Sequence, residues 1–203
     1  MNHKNQPVVY LASASPRRRE LLRQIGVAFR ARPVDIDETP RPEESPARFV
    51  QRLALEKAVA AARSVDEEPP PVILGADTAV VVDERILGKP ADDEDAVSML
   101  GRLSGRSHHV LTGVAGLCGA GRCVMLSRTR VTFRDIDMAE RRAYVASGEP
   151  ADKAGAYAIQ GRAAVFVERI DGSYTGVVGL PLYETHSILD QLARCVDTTR
   201  APG

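Results

Sequence analysis

Two serines and three consecutive arginines near the start of the chain are residue types that bind phosphate. Ser13 and Ser15 precede Pro16 and the arginines at positions 17–19. Ser15 is suited to cap a helix and Pro16 to occupy its first position, so the arginines fall in the first helical turn. The helix dipole is positive there, and each cation in that turn costs about 0.3–1 kcal/mol. A bound phosphate would remove this cost, whereas the alternative is three arginines exposed to solvent.

One acidic residue, Asp77, lies inside the most apolar segment of the chain. The segment 72–82 predicts a central strand that is buried on both faces. A carboxylate in such a strand is costly to bury unless a cation meets it, and a shifted pKa suits a general base. The alternative is a structural aspartate that pairs with an arginine. Thr78, the next residue, is able to bind water or a ligand, although threonine is ordinary in strands.

Further charges of both signs occur in segments that are expected to be ordered. Lys57 lies on or beside the apolar face of a predicted helix, and Lys89 stands between a glycine and a proline. Glu38 ends an acidic segment in which Asp35 and Asp37 are the other carboxylates. A triphosphate with a divalent cation requires cations for its oxygens and carboxylates for the metal and water. For Lys89 the alternative is a solvated surface lysine.

The elements that must position these residues alternate between strands and helices. Apolar runs predict strands at 8–11, 27–34, 72–82 and 163–170 and a hairpin of 108–117 with 123–133. Capping residues and helical spacing predict helices that begin at Ser15, Ser45, Asp92 or Asp93, Asp137 and Pro181. A turn is predicted at 172–174, an apolar connector at 176–180 and a frayed tail at 197–203. We therefore expect an α/β fold in which helices flank a mixed central sheet.

The overall composition limits the classes of partner. Lys plus Arg and Asp plus Glu each number 27 in 203 residues, so the net charge is zero. This balance disfavours nucleic acid and anionic membranes as partners, because both select a basic surface. No apolar run approaches the ~20 residues of a membrane span, and residues 1–7 lack the apolar core of a signal peptide. We therefore predict a cytoplasmic protein.

Several catalytic motifs are absent from the sequence. It contains no GxxxxGK[ST] loop, no GxSxG elbow and no zinc-binding spacing of cysteine and histidine. His108 and His109 begin a predicted strand and are interpreted as structural or surface residues. Cys118, Cys123 and Cys195 form no CxxC pair. Free thiols are expected, although the first two cysteines could face each other across a turn.

Six short motifs occur in an order that resembles one protein family. They are Ser13–Arg18, Gly75–Thr78, Gly88–Pro90, Asp152–Gly155, Tyr157–Gly161 and Gly179–Pro181. The chain resembles the Maf family of nucleoside triphosphate pyrophosphatases, once described as septum-formation inhibitors, over nearly its whole length. The resemblance implies one domain over 1–203, with two lobes around a cleft, similar to inosine triphosphate pyrophosphatase.

The resemblance also implies an activity and its requirements. A nucleoside triphosphate would be hydrolysed between its α and β phosphates, which removes modified or unwanted nucleotides before polymerases use them. The family uses a divalent metal cation, normally Mg²⁺, with Mn²⁺ as the alternative, and often forms a homodimer.

Roles for individual residues follow from the same resemblance. Asp77 matches the proton acceptor, and Arg17, Thr78 and Gln160 match the positions that mark the subgroup acting on dTTP and UTP. The positions tied to phosphate, metal or water are Arg18, Glu38, Lys57 and Lys89. We expect Ser13 and Ser15 to hold phosphate with Arg17 and Arg18, and Glu38 and Asp77 to ligate the metal. Gln160 and Thr78 would read a pyrimidine edge.

Two alternatives to this activity stay open. One is a non-catalytic regulator of septum formation that binds nucleotide or DNA. The other is the sister subgroup that acts on other bases, such as 7-methyl-GTP.

Overall fold

The computed structural model describes residues 8–199, so residues 1–7 and 200–203 lie outside it, as do the side chains of residues 194–199, Cys195 among them. The strands are β1 (Val9–Leu11), β2 (Phe29–Ala31), β3 (Val72–Val82), β4 (Arg85–Leu87), β5 (Ser107–Cys118), β6 (Gly121–Phe133) and β7 (Val167–Asp171). They form one seven-stranded sheet in the order β2-β1-β3-β5-β6-β7, with β4 paired to β3. β1 runs parallel to β2 and β3, and the other pairs are antiparallel. The predicted mixed sheet is therefore confirmed.

Six α-helices flank this sheet. They are α1 (Pro16–Gln24), α2 (Pro46–Ala62), α3 (Asp93–Leu103), α4 (Met138–Val145), α5 (Tyr174–Val178) and α6 (Leu182–Thr199). The predicted caps Ser15, Ser45 and Asp92 each accept a hydrogen bond from a backbone N–H in the first turn of their helix. The predicted capping box at the start of α4 is also present. α6 continues to Thr199, and the frayed tail at 197–203 stays a prediction, with residues 200–203 outside the described part of the chain.

Three predicted elements differ from the structure. Residues 162–166 form a 3₁₀ helix, and the strand begins only at Val167. Ala163 and Phe166 are buried while the two residues between them are exposed, a period of three that the apolar run concealed. Ser173 caps the helix α5 where a turn and a connector were predicted. The predicted strand 27–34 is shorter, because it pairs with β1 over three residues.

Alternate residues of the central strands pack on opposite faces of the sheet. On one face, Ile73 packs with Ala58 of α2. On the other face, Leu74 packs with Leu22 of α1 and Ile188 of α6. Because side chains alternate along a strand, the apolar run of β3 serves both layers at once. This explains why that segment is almost continuously hydrophobic.

β3 continues from these layers into a second hydrophobic cluster. Val80 and Val82 pack there with residues of α3 and α4 and with the aromatic rings of Phe133 and Phe166. The polar pair at positions 77–78 lies between the two parts of the strand. The strand thus holds Asp77 and Thr78 at the junction of two packed regions.

Two glycines allow α2 to lie directly on the sheet. A Cβ at Gly75 would lie 2.1 Å from the carbonyl oxygen of Ala54, and one at Gly113 would lie 2.4 Å from that of Val50. Both contacts are too short for any side chain, so the helix backbone occupies the space above these glycines. Lys57 follows Ala54 by one helical turn and is thereby held close to the centre of β3.

The Gly75→Ala substitution is expected to lower the free energy of unfolding by about 3 kcal/mol, because overpacking forces α2 away from β3. Activity should fall with it, since Lys57 moves with the helix. Urea unfolding followed by circular dichroism measures the change. Gly88→Ala is the matched control for stability, because a Cβ at Gly88 meets no atom within 4 Å. Equal stability of the two variants would contradict this packing argument.

Candidate active site

A cavity of about 750 Å³ opens at the junction of the two packed regions. Its volume is in the range of small-molecule sites. The cavity is lined by every residue that the sequence predicted for the site: Ser13, Ser15, Arg17, Arg18, Glu38, Lys57, Asp77, Thr78, Lys89 and Gln160. Residues that are far apart in the chain therefore meet at one place.

A buried ion pair lies on the wall of this cavity. The Lys57 Nζ donates to Asp77 Oδ1 at 2.6 Å and also contacts Glu38 Oε1 at 2.6 Å. Lys57 is 9% exposed and Asp77 is 7% exposed. The cation that hydrogen-bonds to Asp77 is therefore a lysine and not the arginine that the alternative named. In the acidic segment, Glu38 reaches this pair, whereas Asp37 accepts a hydrogen bond from its neighbour Thr39.

The environment of Asp77 favours its protonated form more than water does. Burial raises the pKa of the Asp77 carboxyl above its ordinary value, and the charge of Glu38 adds to this. The positive charges of Lys57 and Arg18 oppose the rise without cancelling it. Asp77 is therefore a stronger base than an aspartate in solvent, and it is placed where a cavity gives it access to a ligand.

Arg18 joins three parts of the cavity wall. Its Nε donates to the Gly179 carbonyl oxygen at 2.8 Å, and its two Nη atoms donate to Ser13 Oγ at 3.2 Å and Thr78 Oγ1 at 3.4 Å. Burial lowers the pKa of the guanidinium, while the nearby Asp77 charge opposes this change. An arginine stays charged even so. Arg18 is thus a fixed positive charge in the wall.

The two serines are part of the helix start. Ser15 Oγ accepts from the backbone N–H of Arg18, and Ser13 Oγ accepts from that of Ser15. Each hydroxyl still has its own proton to donate to a ligand. Arg17 lies at the rim, with its Nη1 at 3.9 Å from Asp152 Oδ2.

The sequence analysis did not single out the charged pair at positions 152–153. Both residues line the cavity, and Lys153 Nζ pairs with the carboxylate of Asp152. The Asp152 carboxylate therefore lies between two cations, Arg17 and Lys153. The signal was present, because the motif Asp152–Gly155 is one of the six that carry the family resemblance.

Among the side chains that the structure describes, no histidine or cysteine lines the cavity. His108 is buried, its Nε2 lies 2.9 Å from Tyr157 Oη, and burial lowers its pKa to about 4. It is therefore neutral at physiological pH and structural, as predicted. Cys118 and Cys123 form no disulfide with each other, because the register of the hairpin pairs each of them with a glycine. Among the described residues, no helix is long and apolar enough to cross a membrane.

These features define an α/β protein with a cleft lined by cationic and acidic side chains, and comparison with known proteins specifies the family. The sequence profile of the Maf family, described as "Maf-like protein", matches residues 8–192. The chain belongs to the Maf family, so the resemblance that the motifs indicated is confirmed.

Close relatives carry one name. The chain is 52% identical over 196 residues to the "dTTP/UTP pyrophosphatase" of Aromatoleum aromaticum, which covers 91% of this chain and 95% of that protein. It is 54% identical over 187 residues to the protein of the same name from Saccharophagus degradans, with 92% and 89% covered. Among solved structures, the Ham1 protein of Staphylococcus aureus is a weak match, with a TM-score of 0.42 and 12% identity over 63% of this chain and 72% of that one.

Proposed function

We propose that this protein hydrolyses dTTP and UTP to the nucleoside monophosphate and pyrophosphate. Relatives that are more than half identical to this chain over nine-tenths of its length are named dTTP/UTP pyrophosphatase. The structural observation that supports the proposal most directly is the buried pair of Asp77 and Lys57 on the wall of a cavity lined by cations. A base and cations in one cavity are what the hydrolysis of a phosphoanhydride requires.

The cations bind the phosphate chain of the nucleotide. The backbone N–H groups at the start of α1 lie at the positive end of a helix dipole, beside Arg17 and Arg18. Lys89 is exposed on another part of the cavity wall and reaches the ligand from there. As the reaction proceeds, negative charge grows on the leaving pyrophosphate, and Lys57 and Lys89 stabilise it.

Asp77 takes the proton from the attacking water. Its Oδ1 accepts from Lys57, which leaves Oδ2 for the water. The water oxygen forms a bond to the α phosphorus, and the bond to the bridging oxygen breaks with its electron pair going to pyrophosphate. The raised pKa of Asp77 strengthens the base, and Lys57 holds it in the orientation required.

The carboxylates also fit a divalent metal ion. Asp77 and Glu38 both contact Lys57 Nζ, so the two carboxylates lie near each other and are the residues that would hold the ion. Mg²⁺ and Mn²⁺ bind through one or two carboxylates and complete their coordination with phosphate oxygens and water. When bound, the ion neutralises phosphate charge.

Two side chains are placed to recognise the base. Thr112 Oγ1 donates to the Gly176 carbonyl oxygen, so the hydroxyl of Thr78 must donate to Thr112 at 3.0 Å. Thr78 also accepts from Arg18, which leaves it one lone pair for a ligand. Gln160 is exposed at the cavity, so the carbonyl oxygen and the NH₂ group of its side chain are both available to a pyrimidine edge.

The test is an assay of pyrophosphate release from UTP in the presence of Mg²⁺. We expect release from UTP and dTTP and its loss on adding EDTA, since the carboxylates need the cation to approach the phosphates. A panel with CTP, GTP and 7-methyl-GTP serves as the comparison. Preference for 7-methyl-GTP would assign the sister subgroup, and no release from any nucleotide would favour the non-catalytic regulator.

Two further properties stay predictions. The family resemblance implies a homodimer, and the composition of the sequence predicts a cytoplasmic location.

A further inference from the structure

The segment that carries Gln160 is held from both sides by hydrogen bonds to its backbone. The N–H of Ala158 donates to Tyr144 Oη at 3.1 Å, and the N–H of Arg162 donates to Glu149 Oε2 at 3.1 Å. These two residues stand two positions before and two positions after Gln160. The glutamine is therefore at the centre of a short segment whose two ends are fixed.

The two acceptors are joined to each other. Tyr144 Oη donates to Glu149 Oε1 at 2.8 Å, so the phenol and the carboxylate form one unit, called here the Tyr144–Glu149 bracket. The bracket also fills the space beside Gly161, where an added Cβ would lie 2.4 Å from Glu149 Oε1. The carboxylate of Glu149 thus lies directly against Gly161.

The bracket is itself firmly held. Tyr144 is 4% exposed, lies in the last turn of α4 and packs edge-on against Phe166 at a centroid distance of 5.4 Å. Gly148, with φ of +73°, then turns the chain so that Glu149 returns to the tyrosine. Burial raises the pKa of the Tyr144 phenol, so it remains protonated and keeps donating to the carboxylate. Tyr144 and Glu149 are not among the residues that line the cavity.

We propose that the Tyr144–Glu149 bracket is a positioning device that fixes Gln160 and thereby sets the selectivity of the site among nucleotide bases. The proposal rests on the proposed function, because it concerns recognition of the base. Uracil presents a carbonyl acceptor at the position where cytosine presents an amino donor. A glutamine amide offers a donor and an acceptor, so it discriminates only when its orientation and place are fixed.

Tyr144→Phe tests the proposal, because it removes the hydroxyl and keeps the ring that packs against Phe166. Values of kcat/KM for UTP and CTP are measured in Mg²⁺, together with the melting temperature. The ratio of UTP to CTP should fall about fivefold to tenfold, which is the loss expected for one directed hydrogen bond. The change should appear mainly as a higher KM for UTP, with kcat within about twofold of the wild type, because Asp77 and Lys57 are untouched.

Two further variants give the test its controls. Tyr183→Phe removes a hydroxyl from a tyrosine that is 79% exposed on α6, and it should leave the ratio unchanged. In a Gln160→Ala background the ratio should already be low, and adding Tyr144→Phe should lower it no further. This non-additivity is the mark of a residue that acts through Gln160 rather than through general stability.

The possible outcomes separate the two proposals. If the wild type hydrolyses UTP but Tyr144→Phe keeps the ratio of UTP to CTP, the bracket has no positioning role and the proposed function stands. An equal fall of the ratio with and without Gln160 would also overturn the positioning role. Absence of pyrophosphate release by the wild type would instead reject the proposed function, and the bracket proposal with it.

Discussion

The Asp77→Asn variant is expected to hydrolyse UTP about 10³-fold more slowly than the wild type, because its amide cannot take a proton from water. The substitution keeps the shape of the side chain and its ability to accept from Lys57. The loss should therefore appear in kcat, with a smaller change in KM. Steady-state assays of pyrophosphate release measure both values.

The fold of this variant should remain intact. Lys57 retains Glu38 as a charged partner, and burial already disfavours the charge that the substitution removes. Circular dichroism and thermal unfolding check this expectation. Asp83→Asn is the matched control, since it makes the same chemical change at an exposed carboxylate beyond the end of β3. If Asp77→Asn had the kcat of the wild type, Asp77 would not be the base.

The Lys57→Met variant is expected to lose both activity and stability. Methionine keeps the apolar stem but removes the charge, so Asp77 is left buried without the cation that hydrogen-bonds to it. Such a loss costs about 3 kcal/mol of unfolding free energy. Activity should fall about 10²-fold or more, because the charge also stabilises the leaving group. Urea unfolding and the pyrophosphate assay measure the two effects.

The loss of stability should depend on pH in a defined direction. Lys57 lowers the pKa of Asp77, so its removal raises that pKa in the folded protein further above the unfolded value. Asp77 then binds its proton more tightly in the folded than in the unfolded state. The variant therefore gains stability as the pH falls from the pKa of Asp77 in the folded state toward its pKa in the unfolded state. The destabilisation should therefore be smaller in mildly acidic buffer than at neutral pH.

A second substitution on the same helix separates this effect from a general loss of charge. Arg48→Met removes an exposed cation from α2. We expect wild-type activity and stability for it, since exposed charges contribute little to folding. If Lys57→Met behaved like Arg48→Met, the buried ion pair would have no part in folding or catalysis.

Much of the local structure follows from the sequence because its signals are local. Ser15 with Pro16, and Asp137 with Glu140, act on backbone groups within four residues, so their effect is visible without a fold. A valine-rich run interrupted by Asp77 likewise indicates a buried strand with a charge that needs a partner. These signals selected most of the predicted site residues, whereas Gln160 was implied only by the family resemblance.

The partners of those residues depend on contacts between distant segments. The sequence suggested an arginine as the partner for Asp77. Because α2 lies directly on Gly75, however, Lys57 is close enough to hydrogen-bond to the carboxylate. The 3₁₀ helix at 162–166 was missed for a related reason. A run of apolar residues does not show whether every second residue is buried, as in a strand, or every third, as in a 3₁₀ helix.

By itself, therefore, the sequence determined the helix caps, the central strand and which residue types gather around a phosphate-binding helix start. Only the tertiary structure decided which cation meets Asp77 and how the segment of Gln160 is held by Tyr144 and Glu149. The physical reason is distance along the chain. Helix capping and the alternation of side chains along a strand depend on residues that are neighbours in the chain. An ion pair such as Asp77–Lys57, or the Tyr144–Glu149 bracket, depends instead on how closely two separate segments pack.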